Sequence, residues 1–467
     1  MPPLTRQILR QEVADSLRLA GPVVMAQLGQ ISMGFVDTVM VGRLGTEALA
    51  AVALGNTLFF FLYIVCIGVM AAVGPMVAQA FGAEDHEPIE RTVRQGLWLG
   101  LVISVPAFLL IWNVGPLLRL AGQDPATVAL AQAYLRAIVW GFLPGVWFMA
   151  LRGFVEALSR PWPATVITLV GLVLNIGANY VLMFGRLGFP ALGVVGTGWA
   201  STLVFWFLFL ALATLVATSA PFTAYGIFRR LRKPDGPYFR ELFRIGWPIG
   251  VSYGVESGLF TMTALLMGWL GTTALAAHQV ALQCAAITFM VPLGIGIATS
   301  VRVGQAAGRG DVAGVRRAGA VGIALALLFM TGTATVFWTL PEPIVGIYLD
   351  LNDPGRAEAV RLAVELLGVA AVFQVFDGVQ VAAAGALRGL KDTRIPMLLA
   401  FFSYWILGLS AGYMLAFEAE QGAVGLWWGL VLGLSSAAVL LTLRFYRHTR
   451  ARLVFPSAVP QPAGPDR

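Results

Sequence analysis

Apolar runs of about 20 residues or more recur twelve times along this chain, and each is long enough to cross the hydrocarbon core of a bilayer as a helix. They lie near 16–41, 49–78, 93–114, 128–153, 162–184, 192–218, 242–268, 275–302, 315–339, 358–386, 395–416 and 423–445. Pro22, Pro144, Pro248 and Pro292 fall inside the longer runs, where tilt or a kink absorbs the excess length. Only 12% of residues are charged, against about 25% in a soluble domain. The sequence therefore predicts an all-α integral membrane protein, and no polar stretch is long enough for a soluble catalytic domain. Residues 1–18 are polar and lack the short apolar core of a cleavable signal, so the helix beginning near Leu19 is expected to be retained. Cys66 and Cys284 fall in apolar segments and read as small core residues.

Charge fixes an orientation. With the N-terminus in the cytoplasm, 25 of the 31 Lys and Arg residues fall on inner segments. Arg43, Arg119, Arg136, Arg186, Arg356 and Arg361 alone fall outside. The positive-inside rule thus fits twelve helices with both termini cytoplasmic. The net charge of +7 is a topology signal, with contact to anionic lipid, and not a nucleic-acid footprint.

The chain also repeats itself. Gly42-Arg-Leu-Gly-Thr-Glu-Ala-Leu-Ala-Ala51 returns as Gly268-Trp-Leu-Gly-Thr-Thr-Ala-Leu-Ala-Ala277. The same offset pairs Arg18 with Arg244, Pro22 with Pro248, Gly68 with Gly294, Gln79 with Gln305, Gly82 with Gly308 and Asp85 with Asp311. Six spans separate equivalent points, so both halves have the same topology and are related by an axis along the membrane normal. The expected organisation is an N-lobe over 1–220, a basic cytoplasmic linker over 221–241 and a C-lobe over 242–447. A proline-rich cytoplasmic tail over 448–467 is expected to be disordered. Two six-helix lobes joined by one linker enclose a central cleft and can rock about it.

Three acids stand where lipid-compatible residues are expected. Asp37 sits in Ile31-Ser-Met-Gly-Phe-Val-Asp-Thr-Val-Met-Val-Gly42; Glu256 and Asp377 lie in similar surroundings in the seventh and tenth spans. An ionised carboxylate at mid-bilayer costs roughly 3 kcal/mol on insertion scales, and such residues mark ion or substrate paths. The repeat pairs Asp37 with Thr263 and Glu256 with Gln30, so the halves place their acids differently. Asn175 and Asn179 are four apart on the fifth span and share a face. Their amide oxygens and a carboxylate suit Na⁺ or a shared proton; interhelical hydrogen bonding is the plainer role. If Glu256 and Asp377 meet, their repulsion calls for a bound cation or proton. His278, Gln279 and Gln283 open the eighth span as possible supporting residues. Glu156 is expected to be solvated near an inner helix end, while Glu365 and Arg136 snorkel at outer ends. Met33, Met262, Met267, Phe289 and Trp269 are candidates for a cavity wall, with packing as their default role.

Nothing in the chain points to covalent chemistry: there is no Walker A run, nucleophile elbow or metal-ligand cluster. An enzyme is not expected.

Several stretches together resemble the multidrug and toxic compound extrusion (MATE) family, nearest its NorM-like bacterial branch. They are Asp37-Thr-Val-Met-Val-Gly-Arg-Leu-Gly45, Gly74-Pro-Met-Val-Ala-Gln-Ala-Phe-Gly82, Leu151-Arg-Gly153 with Asn175 and Asn179, Ala274-Leu-Ala-Ala-His-Gln279, and Ala386-Leu-Arg-Gly-Leu-Lys-Asp-Thr393. The resemblance spans about residues 10–447. It implies a bacterial inner-membrane exporter, functional as a monomer and without a cofactor, that exchanges amphipathic cationic drugs for Na⁺ or H⁺. It also implies an N-lobe site at Asp37, Asn175 and Asn179 and a C-lobe cation site, for Na⁺ or H⁺, at Glu256 and Asp377. Phe373, one turn before Asp377, supplies no hydroxyl to such a site. The alternative is a lipid-linked oligosaccharide flippase of the same superfamily. That reading calls for cleft arginines to hold pyrophosphate, and the middles of the predicted spans lack them.

Overall fold

A computed structural model describes residues 3–351 and 353–450. All regular structure among these residues is helical. Twelve helices are long and apolar enough to span a membrane: α1 (Arg6–Gly42), α2 (Thr46–Gly82), α3 (His86–Trp112), α4 (Pro125–Ala157), α5 (Trp162–Phe184), α6 (Val194–Thr218), α7 (Gly236–Leu270), α8 (Thr272–Gly308), α9 (Val312–Thr339), α10 (Pro354–Gly389), α11 (Arg394–Glu418) and α12 (Gly422–Arg450). One apolar core is built chiefly from α1–α6, a second from α7–α12, and a smaller third cluster joins α8, α9, α10 and α12.

The repeat is visible in backbone geometry. Gly45 and Gly271, equivalent by the sequence offset, link α1 to α2 and α7 to α8 with φ of +116° and +118°. Both fall where a side chain is strained and glycine is not. Such tight links make each pair of helices antiparallel neighbours within its lobe.

The lobes meet at one end, where α1 and α7 begin. Arg302 on α8 binds Glu12 (2.9 Å) and Asp15 (3.4 Å) on α1. Gln79 Nε2 donates to the Gly389 carbonyl (2.8 Å), and Gln305 Nε2 donates to the Ala157 carbonyl (2.8 Å). Gln79 and Gln305 are themselves repeat partners. Their backbone carbonyls lie against Gly308 and Gly82 respectively, so closely that no Cβ fits at either glycine. Small residues allow helices to approach in this way without a hydrophobic drive between them. Among the described residues, every hydrogen bond and ion pair between the lobes lies at this end.

The segment expected as linker is docked and partly helical. Asp235 caps α7 and binds Arg91 on α3 (2.5 Å), and Trp98 donates to the Leu231 carbonyl (2.7 Å). Helix α7 therefore starts at Gly236, ahead of the expected lobe boundary. At the other terminus α12 runs to Arg450; the rest of the expected tail, 451–467, lies outside the described residues.

Asp392, in the turn between α10 and α11, ties that turn to α12 through Arg444 (2.7 Å) and His448 (3.3 Å). Burial alone would raise its carboxyl, but the His448 and Arg444 bonds outweigh burial and hold it below the ordinary aspartate value. A depressed folded-state value stabilises above the ordinary range and is lost as pH falls through it. Asp392→Asn is expected to cost about 1 kcal/mol after screening at the partly exposed Arg444. It should lower the Tm of the detergent-solubilised protein at neutral pH, with the difference from wild type vanishing in strong acid.

Candidate functional site

Three groups of polar residues lie inside the bundle. In the N-lobe, α1 carries Asp37 to the face of α5 that bears Asn175 and Asn179. Asn179 Nδ2 donates to Asp37 Oδ1 at 2.6 Å, and Ser201 Oγ on α6 reaches Oδ2 at 3.5 Å. Both asparagines are buried, and the Oδ1 atom of each has no protein partner. The arrangement leaves amide oxygens close to a carboxylate, a donor set that fits a hard monovalent cation or a hydrated proton.

In the C-lobe, Gln380 on α10 joins the two acids. Its Nε2 is 3.4 Å from Glu256 Oε1 on α7 and 3.3 Å from Asp377 Oδ1. Two carboxylates sharing one amide cannot both stay charged cheaply in this setting. The pair therefore fits a proton or a cation. Phe373 is buried, its ring edge-on to Phe260 (6.1 Å) and Trp427 (5.5 Å). Asp37 does not join these acids; each lobe holds its own cluster of polar side chains.

Between the lobes lies a cavity of about 700 Å³. Its sealed end is lined by Gly74, Arg152, Glu156, Ser300 and Arg388, and its wall further along by Glu256, Phe260, Phe289 and Thr57. Of the five candidate wall residues with methionine or aromatic side chains, Phe289 faces this space. Met267 is buried in the C-lobe core and Trp269 is largely exposed; neither they nor Met33 and Met262 line the cavity.

Two expectations change here. Glu156 is not solvated. It is buried, and its Oε1 accepts from Arg152 Nε at 2.6 Å, one turn back on α4. Arg152 Nη1 reaches across to Gln30 on α1 at 3.0 Å. A buried carboxylate needs such a partner, and the i, i+4 spacing supplies it. Arg388 also reaches the cavity, because α10 carries the wall almost to its last residue, Gly389. Cleft arginines are thus present, although the span middles lack them.

The supporting residues scatter. His278 is fully buried against Trp427 (5.8 Å), with neither ring nitrogen hydrogen-bonded in the protein. Gln279 and Gln283 are exposed on α8, on a different face from buried His278. Gln30, Tyr253, Gln380 and Arg388 are polar residues of the interior that sequence reading passed over. Gln30 carried a signal, because it is the repeat partner of Glu256.

Comparison with known proteins accounts for the duplicated architecture. The family model MatE matches the chain twice, over residues 22–181 and 248–414, once on each repeat. The chain belongs to the MatE family. Among curated relatives, "Probable multidrug resistance protein NorM" of Pseudomonas aeruginosa is 44% identical over 444 residues, 95% of this chain and 91% of the relative. The protein of that name from Synechococcus sp. is 42% identical over 454 residues, 97% and 98% of the two chains. The fold matches solved structures. "Outward-facing conformation of a multidrug resistance MATE family transporter of the MOP superfamily" aligns with a TM-score of 0.85 at 21% identity, covering 94% of this chain and 96% of that one. The eukaryotic MATE transporter AtDTX14 aligns with a TM-score of 0.83 at 20% identity, covering 95% and 98%. This MatE chain is thus a multi-pass membrane protein with two homologous lobes, and not an enzyme.

Proposed function

We propose that the protein is a multidrug exporter that exchanges amphipathic organic cations for Na⁺ or H⁺ by alternating access. The observation that carries this reading is a cavity sealed at one end between two lobes, with an acid, Glu256, on its wall. The names of the relatives, multidrug resistance proteins at 44% and 42% identity, support the substrate class. With both termini cytoplasmic in a bacterial inner membrane, the seal faces the cytoplasm and this conformation faces out. Na⁺ or H⁺ then reaches Asp37 and the Glu256–Asp377 pair from outside and favours drug release. Rocking of the lobes carries the ion inward, and drug rebinds as the ion leaves. Each charge moved across 100 mV supplies about 2.3 kcal/mol, so one or two ions drive a useful gradient. The protein acts as a monomer, since one chain holds both lobes and the cavity.

The test is transport of a fluorescent organic cation in proteoliposomes, with Na⁺ and pH gradients imposed separately. Transport under the Na⁺ gradient alone identifies Na⁺ as the coupling ion, and transport under the pH gradient alone identifies H⁺. No transport under either overturns the exporter reading. It would favour a lipid-linked oligosaccharide flippase, for which Arg152 and Arg388 in the cleft are the specific observation.

A further inference from the structure

We infer that the groove between the start of α1, the α4–α5 turn and the end of α6 binds one anionic phospholipid of the leaflet at the sealed end. The groove has a volume of about 960 Å³ and shares no lining residue with the central cavity. Arg18 on α1 and Arg160 in the α4–α5 turn line it, and no Asp or Glu does. Both arginines are exposed, and among the described residues neither side chain forms an ion pair or a hydrogen bond. The acids nearest along α1 are taken, since Glu12 and Asp15 bind Arg302. Charge bias between loops places arginines on one face of the membrane, but it does not call for two unpaired ones in a single apolar-walled groove. A basic groove between membrane helices suits a phosphodiester headgroup, through charge-assisted hydrogen bonds. With no carboxylate on its wall, it offers nothing to the ammonium of a zwitterionic headgroup.

The rest of the groove fits an acyl chain. Leu17, Gly21 and Met25 are four apart on α1 and share a face. A Cβ at Gly21 would meet nothing within 4 Å, so the missing side chain leaves a furrow between exposed Leu17 and Met25. On α5, Trp162 opens an exposed stripe that runs on through Val166, Leu169 and Val173. Tryptophan is enriched at headgroup depth, so the two arginines stand where a phosphate lies and the stripe runs from there toward the bilayer centre. Thr165 Oγ1 donates to the Pro22 carbonyl at 2.8 Å, which ties α1 to α5 beside the groove before any lipid arrives.

Native mass spectrometry tests this on the detergent-solubilised full-length protein, titrated with phosphatidylglycerol or with phosphatidylcholine of the same acyl chains. Wild type is expected to retain one phosphatidylglycerol about tenfold more tightly than phosphatidylcholine. Arg18→Gln and Arg160→Gln should each weaken phosphatidylglycerol about fivefold, and phosphatidylcholine less. Arg230→Gln removes an exposed arginine outside the groove and should change neither. Phosphatidylglycerol with a photoactivatable acyl chain should label Leu17, Met25 or Trp162. Gly21→Phe, which fills the furrow and leaves both arginines in place, should abolish that labelling. A size-exclusion profile matching the parent's shows that each variant is folded.

Equal affinity of wild type for the two lipids overturns the inference, as does a double variant, Arg18→Gln with Arg160→Gln, that binds phosphatidylglycerol like the parent. Labelling confined to residues outside the groove overturns it as well. So does displacement of phosphatidylglycerol by inorganic phosphate, which would assign the arginines to the free ion. Neither the groove nor its test depends on what the central cavity carries.

Discussion

Glu256→Gln, Asp377→Asn and Asp37→Asn are each expected to abolish gradient-driven export while leaving folded protein in the membrane. The C-lobe pair is the clearest case. Gln380 holds two carboxylates through one amide nitrogen, 3.4 Å from Glu256 and 3.3 Å from Asp377. That geometry makes arrival of a positive charge favourable and its departure the step that must be driven. Turning either acid into an amide removes one charge and leaves an uncoupled pair. For a cation bound between the two acids, losing one carboxylate partner costs about 3–5 kcal/mol, a factor of about 10² or more in affinity. At Asp37 the amide of Asn179 is 2.6 Å from the carboxylate, and an asparagine in its place would keep the hydrogen-bonding shape while losing the charge. Dye efflux from proteoliposomes, with size-exclusion profiles as the check on folding, decides the matter. Export at the wild-type rate in all three variants would sink the carboxylate mechanism.

The second large effect is expected at the seal. Gly82→Val and Gly308→Val each put carbon where a backbone carbonyl of the opposite lobe already lies, that of Gln305 or Gln79. Backbone cannot swing aside as a side chain does, so the clash is relieved by parting the lobes at this end. Overpacking of this kind costs about 1–3 kcal/mol, which moves a two-state equilibrium by about five- to 150-fold. Because both glycines serve one seam, the double variant should shift less than the sum of the two. The readout is thiol labelling of Ser300→Cys, near the sealed end of the cavity, with Cys66 and Cys284 replaced by alanine. Reagent applied from the side of the termini should label the glycine variants faster than the parent. Equal rates would show that the seam does not gate the cavity.

Much of the architecture was legible because its causes are local or periodic. Apolar length sets the twelve spans, and the repeated Gly-x-Leu-Gly-Thr stretch announces the two lobes before any contact is known. Asn175 and Asn179 could be paired from helical spacing alone, and a lone acid such as Asp37 needs polar company somewhere. The rest depends on contacts that spacing does not encode. Arg152 and Glu156 look like an ordinary exposed helix pair near an inner loop. Only Gln30, 122 residues away, and the inward turn of α4 make them cavity residues. Arg388 next to Gly389 reads as a loop charge until α10 is seen to wall the cavity almost to its last residue. On α8, a rotation of about 100° per residue separates buried His278 from exposed Gln279, a difference that adjacency in sequence conceals.

Gly82 against the Gln305 carbonyl and Gly308 against the Gln79 carbonyl are the same contact made twice, with the roles exchanged. In an assembly of separate subunits, that pattern would be an isologous two-fold interface: patch i meets patch j while j meets i. A six-helix ancestor with this patch would carry all it needs to pair with itself, and fusion would leave each copy free to gain its own acids. The surface that closes the cavity is thus of the kind that holds a homodimer together, here made within one polypeptide.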